Sequence, residues 1–316
     1  MSAGRYAPSP SGDLHLGNLR TALLAWLFAA STDRPLLLRY EDLDAGRTVP
    51  GSADRQRRDL EALGITFSGE VLHQSQRKEI YDDAVTHLSV QGLVYECFCT
   101  RREIQEADRA PHAPPGAYPG TCRNLSEDER ARRRHQRPPA LRLRVSEDAA
   151  GAHELSVRDQ LLGQITGTVD DLVLVRNDGA AAYNLAVVVD DHLTGVDQAV
   201  RGDDLASSAP RQAYLRGLLY GPEAQQEVSY AHVPLVLNAE GKRLAKRDGA
   251  VTLEQLNSQG VTAEAVRDRL LLSLGLPPGP LDEVVKDFDP QALPSEPWIF
   301  DAGETSDAGG AYTDPS

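Results

Sequence analysis

Arg5-Tyr-Ala-Pro-Ser-Pro-Ser-Gly-Asp-Leu-His-Leu-Gly-Asn18 runs from a short apolar segment, through Pro8, Pro10 and Gly12, into the helical pattern Leu16, Leu19, Leu23, Leu24 and Leu27. A rigid turn thus delivers His15 and Gly17 to a helix N-terminus. Free N–H groups and partial positive charge collect there, which suits a phosphate. Gly17 leaves room for a base or ribose to approach the backbone. His15 can donate a hydrogen bond to a phosphoryl oxygen as charge builds on it. Taken alone, the stretch reads equally as a Pro/Gly turn before an ordinary amphipathic helix.

Working outward, residues 16 to 30 form the first helix, and Arg34-Pro-Leu-Leu-Leu-Arg-Tyr-Glu-Asp-Leu-Asp44 follows as a short buried strand ending in charge. An apolar run with polar residues at its carboxyl end is the pattern of a parallel α/β sheet, whose ligands sit beyond the strand ends. The spacing predicts exposed helices over 52–63 and 76–91, with a strand beginning at Gly64-Ile-Thr-Phe. Residues 139 to 176 look β-rich, because Ala140-Leu-Arg-Leu-Arg-Val alternates and Asp171-Leu-Val-Leu-Val-Arg is an apolar strand. A helix follows over 209–219, then a strand over 230–238, and helical segments near Leu253 and over 261–274.

The 316 residues suffice for two cores, or for one domain with an insertion. No apolar run reaches the ~20 residues that span a bilayer, and the N-terminus lacks a charged-then-apolar leader, so a cytoplasmic protein is expected. A net charge of -14 argues against indiscriminate nucleic-acid binding. The three cysteines, Cys97, Cys99 and Cys122, form one tight cluster. An odd number so close together suits a metal in a reducing compartment better than a disulfide framework. Zn²⁺ normally takes four ligands in a structural site, so His112, Tyr118 or water must supply the fourth, and on chemistry alone His112 is the common choice. Between Cys99 and Arg144 there are eleven arginines, no lysines and six acids. Arg130, Arg132, Arg133, Arg134 and Arg137 are either a surface facing nucleic-acid phosphates or an exposed helix paired with its own Glu127 and Glu129.

The stretch Pro8 to Asn18 resembles the first nucleotide-binding motif of class I aminoacyl-tRNA synthetases, in the form of the glutamyl-tRNA synthetase branch, with Asn18 in place of the usual second histidine. Gly241-Lys-Arg-Leu-Ala-Lys-Arg-Asp248 resembles the partner motif, a mobile basic loop. The resemblance implies that Lys246 meets the ATP phosphates, with His15, Gly17, Asn18 and Arg243 as further ATP contacts. Arg243 replaces the usual first lysine and Ala245 the usual serine. Arg39-Tyr-Glu-Asp-Leu-Asp44 matches the segment whose glutamate, here Glu41, meets the substrate amine, while Arg5 and Ser9 contact the amino acid. The block from Ala182 to Asp204 is similar to the second half of that catalytic domain and implies that Tyr183 and Arg201 line a glutamate pocket. An arginine fork suits a carboxylate because it makes two parallel charge-assisted bonds.

Cys-x-Cys followed by Tyr-x-x-x-Cys resembles the zinc site of the glutamyl-Q tRNA(Asp) synthetases, which assigns the metal to Cys97, Cys99, Tyr118 and Cys122. The fold implied is α/β, a Rossmann-like doubly wound parallel sheet with an inserted zinc-binding subdomain and a small C-terminal helical unit. Residues 1–90 and 185–240 would form the catalytic domain, 91–184 the acceptor-binding-type insertion, 241–288 the basic loop and helical unit, and 289–316 an acidic, disordered tail. Synthetases that charge tRNA with glutamate carry an anticodon-binding region after the helical unit, and only seventy residues follow Lys246. The resemblance therefore implies an ATP-dependent ligase, expected as a monomer, that activates glutamate without tRNA and passes it to the queuosine base of tRNA(Asp), with one structural Zn²⁺ and with Mg²⁺ on ATP. A short glutamyl-tRNA synthetase charging tRNA(Glu) and a non-catalytic tRNA-binding paralogue are the competing expectations.

Overall fold

The structure, a computed structural model, describes residues 2–100, 102–104, 118–145, 153–242, 244 and 251–300. Its frame is a seven-stranded sheet in the order β3-β2-β1-β9-β10-β6-β7. The strands are β1 (Ala3–Tyr6), β2 (Leu36–Tyr40), β3 (Leu72–His73), β6 (His153–Asp159), β7 (Gly163–Val169), β9 (Val196–Gly202) and β10 (Ser229–Val233). Every pairing is parallel except the β6–β7 hairpin. From β1 the chain steps one way to β2 and β3, then returns to β9 on the other side of β1. That reversal opens a crevice beyond the carboxyl ends of β1 and β9, where ligands of doubly wound sheets bind.

Parallel strands covered on both faces are apolar throughout, and their neighbours in sequence face different layers. In β9 and β10, Ala199 and Tyr230 belong to one apolar cluster and the next residues, Val200 and Ala231, to another. The second cluster is built on α1 (Leu16–Ala30), whose Leu19, Leu23, Leu24, Leu27 and Phe28 are buried. With it pack α2 (Ser52–Ala62) and the C-terminal helices α7 (Leu253–Ser258), α8 (Ala263–Leu272) and α9 (Leu281–Val284). Opposite lie α3 (Lys78–Val90), α5 (Tyr183–Leu193) and α6 (Ala209–Tyr220). Arg20, fully buried on α1, ties these parts together by donating to the Ser273 hydroxyl and carbonyl at 3.1 and 3.2 Å and to the Pro234 carbonyl at 3.0 Å. Burial pulls its guanidinium down to about 10.

The β-rich stretch divides between two sheets. β4 (Val94–Cys97), β5 (Ala140–Leu143) and β8 (Val173–Val175) form a separate antiparallel sheet that carries the exposed helix α4 (Glu127–Arg134) at its side. Residues 153–169, placed in the insertion by sequence, instead extend the main sheet as β6 and β7. Their alternating pattern specifies a half-buried strand but not which sheet receives it. Gly64 to Phe67 form no strand, since Gly64 closes α2 in a left-handed conformation and the strand comes later, at β3. The sequence from 230 to 238 breaks at Pro234 into β10 and β11 (Val236–Asn238). Residues 289–300, grouped with the tail, are ordered as far as β12 (Trp298–Phe300), which pairs with β11 and buries Phe300 in the α1 core. The rest of the tail lies outside the described residues. No helix among the described residues is long and apolar enough to cross a membrane.

Candidate active site and cysteine cluster

The N-terminus of α1 is closed by His15 and Asn18 acting on each other. The His15 imidazole accepts from the Asn18 N–H and the Asn18 side chain accepts from the His15 N–H, both at 3.4 Å. Asn18 thus has a structural reason to stand where the related motif has histidine, because a carbonyl oxygen completes a reciprocal cap. Since His15 accepts at Nδ1, its proton sits on Nε2. A Cβ on Gly17 would come within 3.1 Å of the His15 ring, so any side chain there displaces the imidazole. The turn before the helix is clamped from α2. Gln56 donates to the carbonyls of Ser9 and Gly12 at 3.1 and 2.6 Å, and Ser52 donates to that of Pro10 at 2.5 Å.

This turn forms one wall of a cleft of about 810 Å³, lined among others by Arg5, Ser9, His15, Gly17, Asn18, Glu41, Tyr183 and Arg201. Every described residue assigned from the sequence to glutamate or ATP therefore meets in one cavity. Arg243 and Lys246 lie outside the described residues, although Leu244 between them and the segment after them touch the cleft or its His15 wall. Leu244 lines it, and Thr252 forms a β-bridge with His15 while Val251 accepts from the Leu16 N–H at 3.1 Å.

Beneath the cleft is a buried network of charge. Arg39 meets Asp191 at 2.5 Å and Glu41 at 3.5 Å, and the Arg5 Nε lies 3.5 Å from Asp191. Asp190 accepts from Gln74, Arg77 and Tyr81 at 2.7–2.9 Å. Burial works to raise the Asp191 carboxyl, but Arg39 and Arg5 outweigh it and hold the group below the usual range. For Glu41 burial wins over the same two arginines and its carboxyl is raised. Glu41 also reaches the cleft, and its backbone N–H is held by the Pro8 carbonyl at 3.0 Å. In the same cavity the Arg201 Nη1 donates to Tyr183 and Gln212 at 3.3 and 2.8 Å. The arrangement can hold a zwitterion with a second carboxylate beside an anion-binding helix end.

Away from the cleft, Cys97, Cys99 and Cys122 have sulfurs within 4.8 Å of one another, and none is in a disulfide. The Tyr118 hydroxyl stands 3.3 Å from Cys97 and 3.5 Å from Cys99, and it accepts from the Cys122 N–H at 2.9 Å. Zn–S bonds of ~2.3 Å at tetrahedral angles set sulfurs roughly 3.8 Å apart, so three thiols and one phenol at these spacings fit such an ion. The alternative ligand His112 lies outside the described residues. The nearby Cys122 thiol and the Tyr118 hydroxyl pull the Cys97 thiol below the usual thiol range against the opposing effect of burial. Arg142 stacks on the Tyr118 ring at 3.6 Å, and Arg133 reaches the Cys122 sulfur at 3.8 Å.

The arginine-rich helix α4 has the internally paired form. Arg130 and Arg134 meet Glu127 at 2.8 Å each, Arg133 meets Glu129 at 3.8 Å, and Arg134 also binds Glu96.

Residues 3–300 match the family described as tRNA synthetases class I (E and Q), catalytic domain. The glutamyl-Q tRNA(Asp) synthetase of Nocardia farcinica is 60% identical over 94% of this chain and 93% of its own. That of Cutibacterium acnes is 50% identical over 87% of this chain and 77% of its own. The chain belongs to the glutamyl-Q tRNA(Asp) synthetase family. Among solved structures, a glutamate tRNA ligase from Elizabethkingia meningosepticum in complex with its amino acid superposes with a TM-score of 0.76 at 28% identity, covering 96% of this chain and 68% of that one.

Within this synthetase fold, reading the sequence missed the residues that hold the contacts in place: Gln56 and Ser52 under the turn, Asp191 beside Arg5, and Gln212 beside Arg201. For α2 a signal existed. Ser52, Gln56 and Leu60 recur every four residues on its buried face, where two polar side chains ask for backbone partners. For Asp191 and Gln212 no local signal exists, since their partners are fixed by sheet order.

Proposed function

We propose that the chain activates glutamate with ATP, without tRNA, and transfers the glutamyl group to the queuosine base in the anticodon of tRNA(Asp). The observation that carries this reading is the convergence of Arg5, Glu41, Tyr183 and Arg201 with the His15 helix end in one cleft. Glu41 meets the substrate amine, Arg5 and Ser9 its backbone end, and Tyr183 with Arg201 its side-chain carboxylate. His15, Gly17, Asn18, Arg243 and Lys246 receive ATP, which enters with Mg²⁺ on its phosphates. A glutamate α-carboxylate oxygen attacks the α-phosphorus, the bond to the bridging oxygen breaks, and pyrophosphate leaves. His15, Lys246 and the α1 N–H groups face the charge that develops. No side chain is required as nucleophile, so rate comes from positioning and electrostatics. In the second step a queuosine hydroxyl oxygen attacks the glutamyl carbonyl, AMP departs and the hydroxyl proton is released.

Cys97, Cys99, Tyr118 and Cys122 hold a structural Zn²⁺, which supplies cross-linking to a region whose own apolar cluster is small. The 60% identity to the Nocardia relative supports the choice of tRNA(Asp) as partner. The test is glutamate-dependent exchange of labelled pyrophosphate into ATP in the absence of tRNA, with aspartate and glutamine as controls. Exchange with glutamate alone is expected, followed by transfer of labelled glutamate to queuosine-containing tRNA(Asp). Silence without tRNA but activity with tRNA(Glu) would replace this reading by a glutamyl-tRNA synthetase.

A further inference from the structure

Three neighbouring strands carry one polar residue each toward their carboxyl ends: Arg201 on β9, which lines the cleft, His232 on β10 and Asp159 on β6. Parallel register sets Arg201 directly opposite His232, and Asp159 ends the next strand over. The Arg201 Nε–H donates to His232 Nε2 at 3.0 Å, and His232 Nδ1 lies 2.6 Å from the Asp159 carboxylate. A guanidinium has donors only, so Nε2 must accept and Nδ1 must carry the proton toward Asp159. Asp159 is itself fixed by three backbone N–H groups, those of Leu161 and Leu162 at 2.9 Å and that of His232 at 3.1 Å. All three side chains are buried, with His232 at 0% exposure. Burial, with the positive charge of Arg201, lowers the affinity of His232 for a second proton, against the pull of Asp159.

Arg5 and Arg201, which both line the cleft, are consequently held in different ways. Arg5 is paired with the carboxylate of Asp191, whereas Arg201 is held by a neutral imidazole, an amide, a phenol and, at 3.4 Å, the Leu205 carbonyl. Among its described partners Arg201 has no carboxylate. Among the described residues one N–H of Nη2 has no partner, and Tyr183, which accepts from Nη1, keeps its hydroxyl proton for a ligand.

We propose that His232, locked in one tautomer by Asp159, is the positioning residue that aims Arg201 into the cleft and leaves its charge uncancelled, so that the pocket selects a side-chain carboxylate over an amide. The inference rests on the reading in which Arg201 meets the glutamate side chain. A carboxylate placed directly on Arg201 would hold it as firmly but would neutralise the charge the substrate needs. Interposing the imidazole keeps the aim and moves the negative charge one ring away.

Two substitutions separate aiming from mere packing, because an asparagine amide reproduces the Nδ1 position of histidine and a glutamine amide the Nε2 position. In the full-length protein, His232→Asn keeps the Asp159 contact and loses the Arg201 contact. It is expected to raise KM for glutamate about 30-fold in pyrophosphate exchange, leaving kcat within about threefold and KM for ATP unchanged. The preference for glutamate over glutamine falls about tenfold with it. His232→Gln retains the acceptor for Arg201 and restores KM to within about fivefold of wild type. A wild-type glutamate KM in His232→Asn overturns the inference, as does equal loss of ATP affinity in both variants. A wild type that exchanges with no amino acid sinks the functional reading itself, and this inference with it.

Discussion

At the cleft, recognition groups are fixed by partners from distant parts of the chain: Arg5 by Asp191, Arg201 by His232 and Gln212, the Pro-Ser-Pro turn by Gln56. At the cysteine cluster the four donors lie within 26 residues of sequence and hold chiefly one another, and three of them make up most of a five-residue apolar cluster with Tyr95 and Phe98. The first region is preorganised by the sheet, so losing one contact residue there changes binding or chemistry without unfolding it. The second draws its order from its own cross-links, so losing a donor changes local stability without touching the chemistry. The two regions therefore predict opposite responses to substitution.

The largest effect is expected at Lys246. Lys246→Ala removes a positive charge from the loop whose Leu244 lines the cleft, and it should lower glutamate-dependent exchange by at least ~100-fold, the scale for losing one preorganised group that stabilises transition-state charge. The melting midpoint should stay within about 2 °C, because neither buried Leu244 nor the Val251 and Thr252 contacts with α1 are altered. Unchanged exchange would remove the lysine from the mechanism, and a large drop in melting midpoint would break the contrast between the regions.

How far each region was legible follows from the same difference. α1 and its cap were legible because Leu16, Leu19, Leu23 and Leu27 recur at helical spacing after a proline turn. The cysteine cluster was legible because its ligands are close in sequence; the Tyr118 hydroxyl stands near two of its sulfurs, while His112, the choice on chemistry alone, lies outside the described residues. Glu41, Tyr183 and Arg201 were readable only through resemblance, since by themselves they pass for strand-end charges and a surface turn. Asp159, Asp191 and Gln212 were not readable at all. Their roles depend on β6 lying beside β10 and α5 packing under β1 and β2, and neither adjacency is written in local spacing. Val187, Val188 and Val189 make a continuous apolar run that fits strand or helix, and only packing against α3 and α6 resolves it as α5.

A smaller effect is expected at the metal donors. Cys97→Ser with Cys122→Ser should abolish one bound equivalent of zinc, measured by elemental analysis of purified protein, and expose the 91–145 region to protease. Exchange without tRNA should remain within about threefold of wild type, because no donor lines the cleft. A wild type without zinc would leave the four donors a hydrogen-bonded thiol cluster, and loss of exchange in the double variant would join the two regions that the structure keeps apart.

The smallest effect is expected on α4, and it bears on which surface meets RNA. Arg134 binds both Glu96 oxygens, at 2.8 and 3.0 Å from its Nε, and also Glu127 at 2.8 Å. To contact a phosphate it must leave Glu96 uncompensated beside a polyanion and leave Glu127 to Arg130 alone, and the repulsion works against the contact it would gain. An exposed pair of this kind contributes little to folding, so Arg134→Ala should shift the melting midpoint by no more than about 3 °C. The sharper measurement is the salt dependence of tRNA binding. Each phosphate neutralised by a side chain adds about one to the slope of log affinity against log salt. An unchanged slope in Arg134→Ala is expected and keeps this arginine within the fold of the insertion. A slope smaller by about one would place it on the tRNA backbone and would mean that Glu96 and Glu127 give it up on binding.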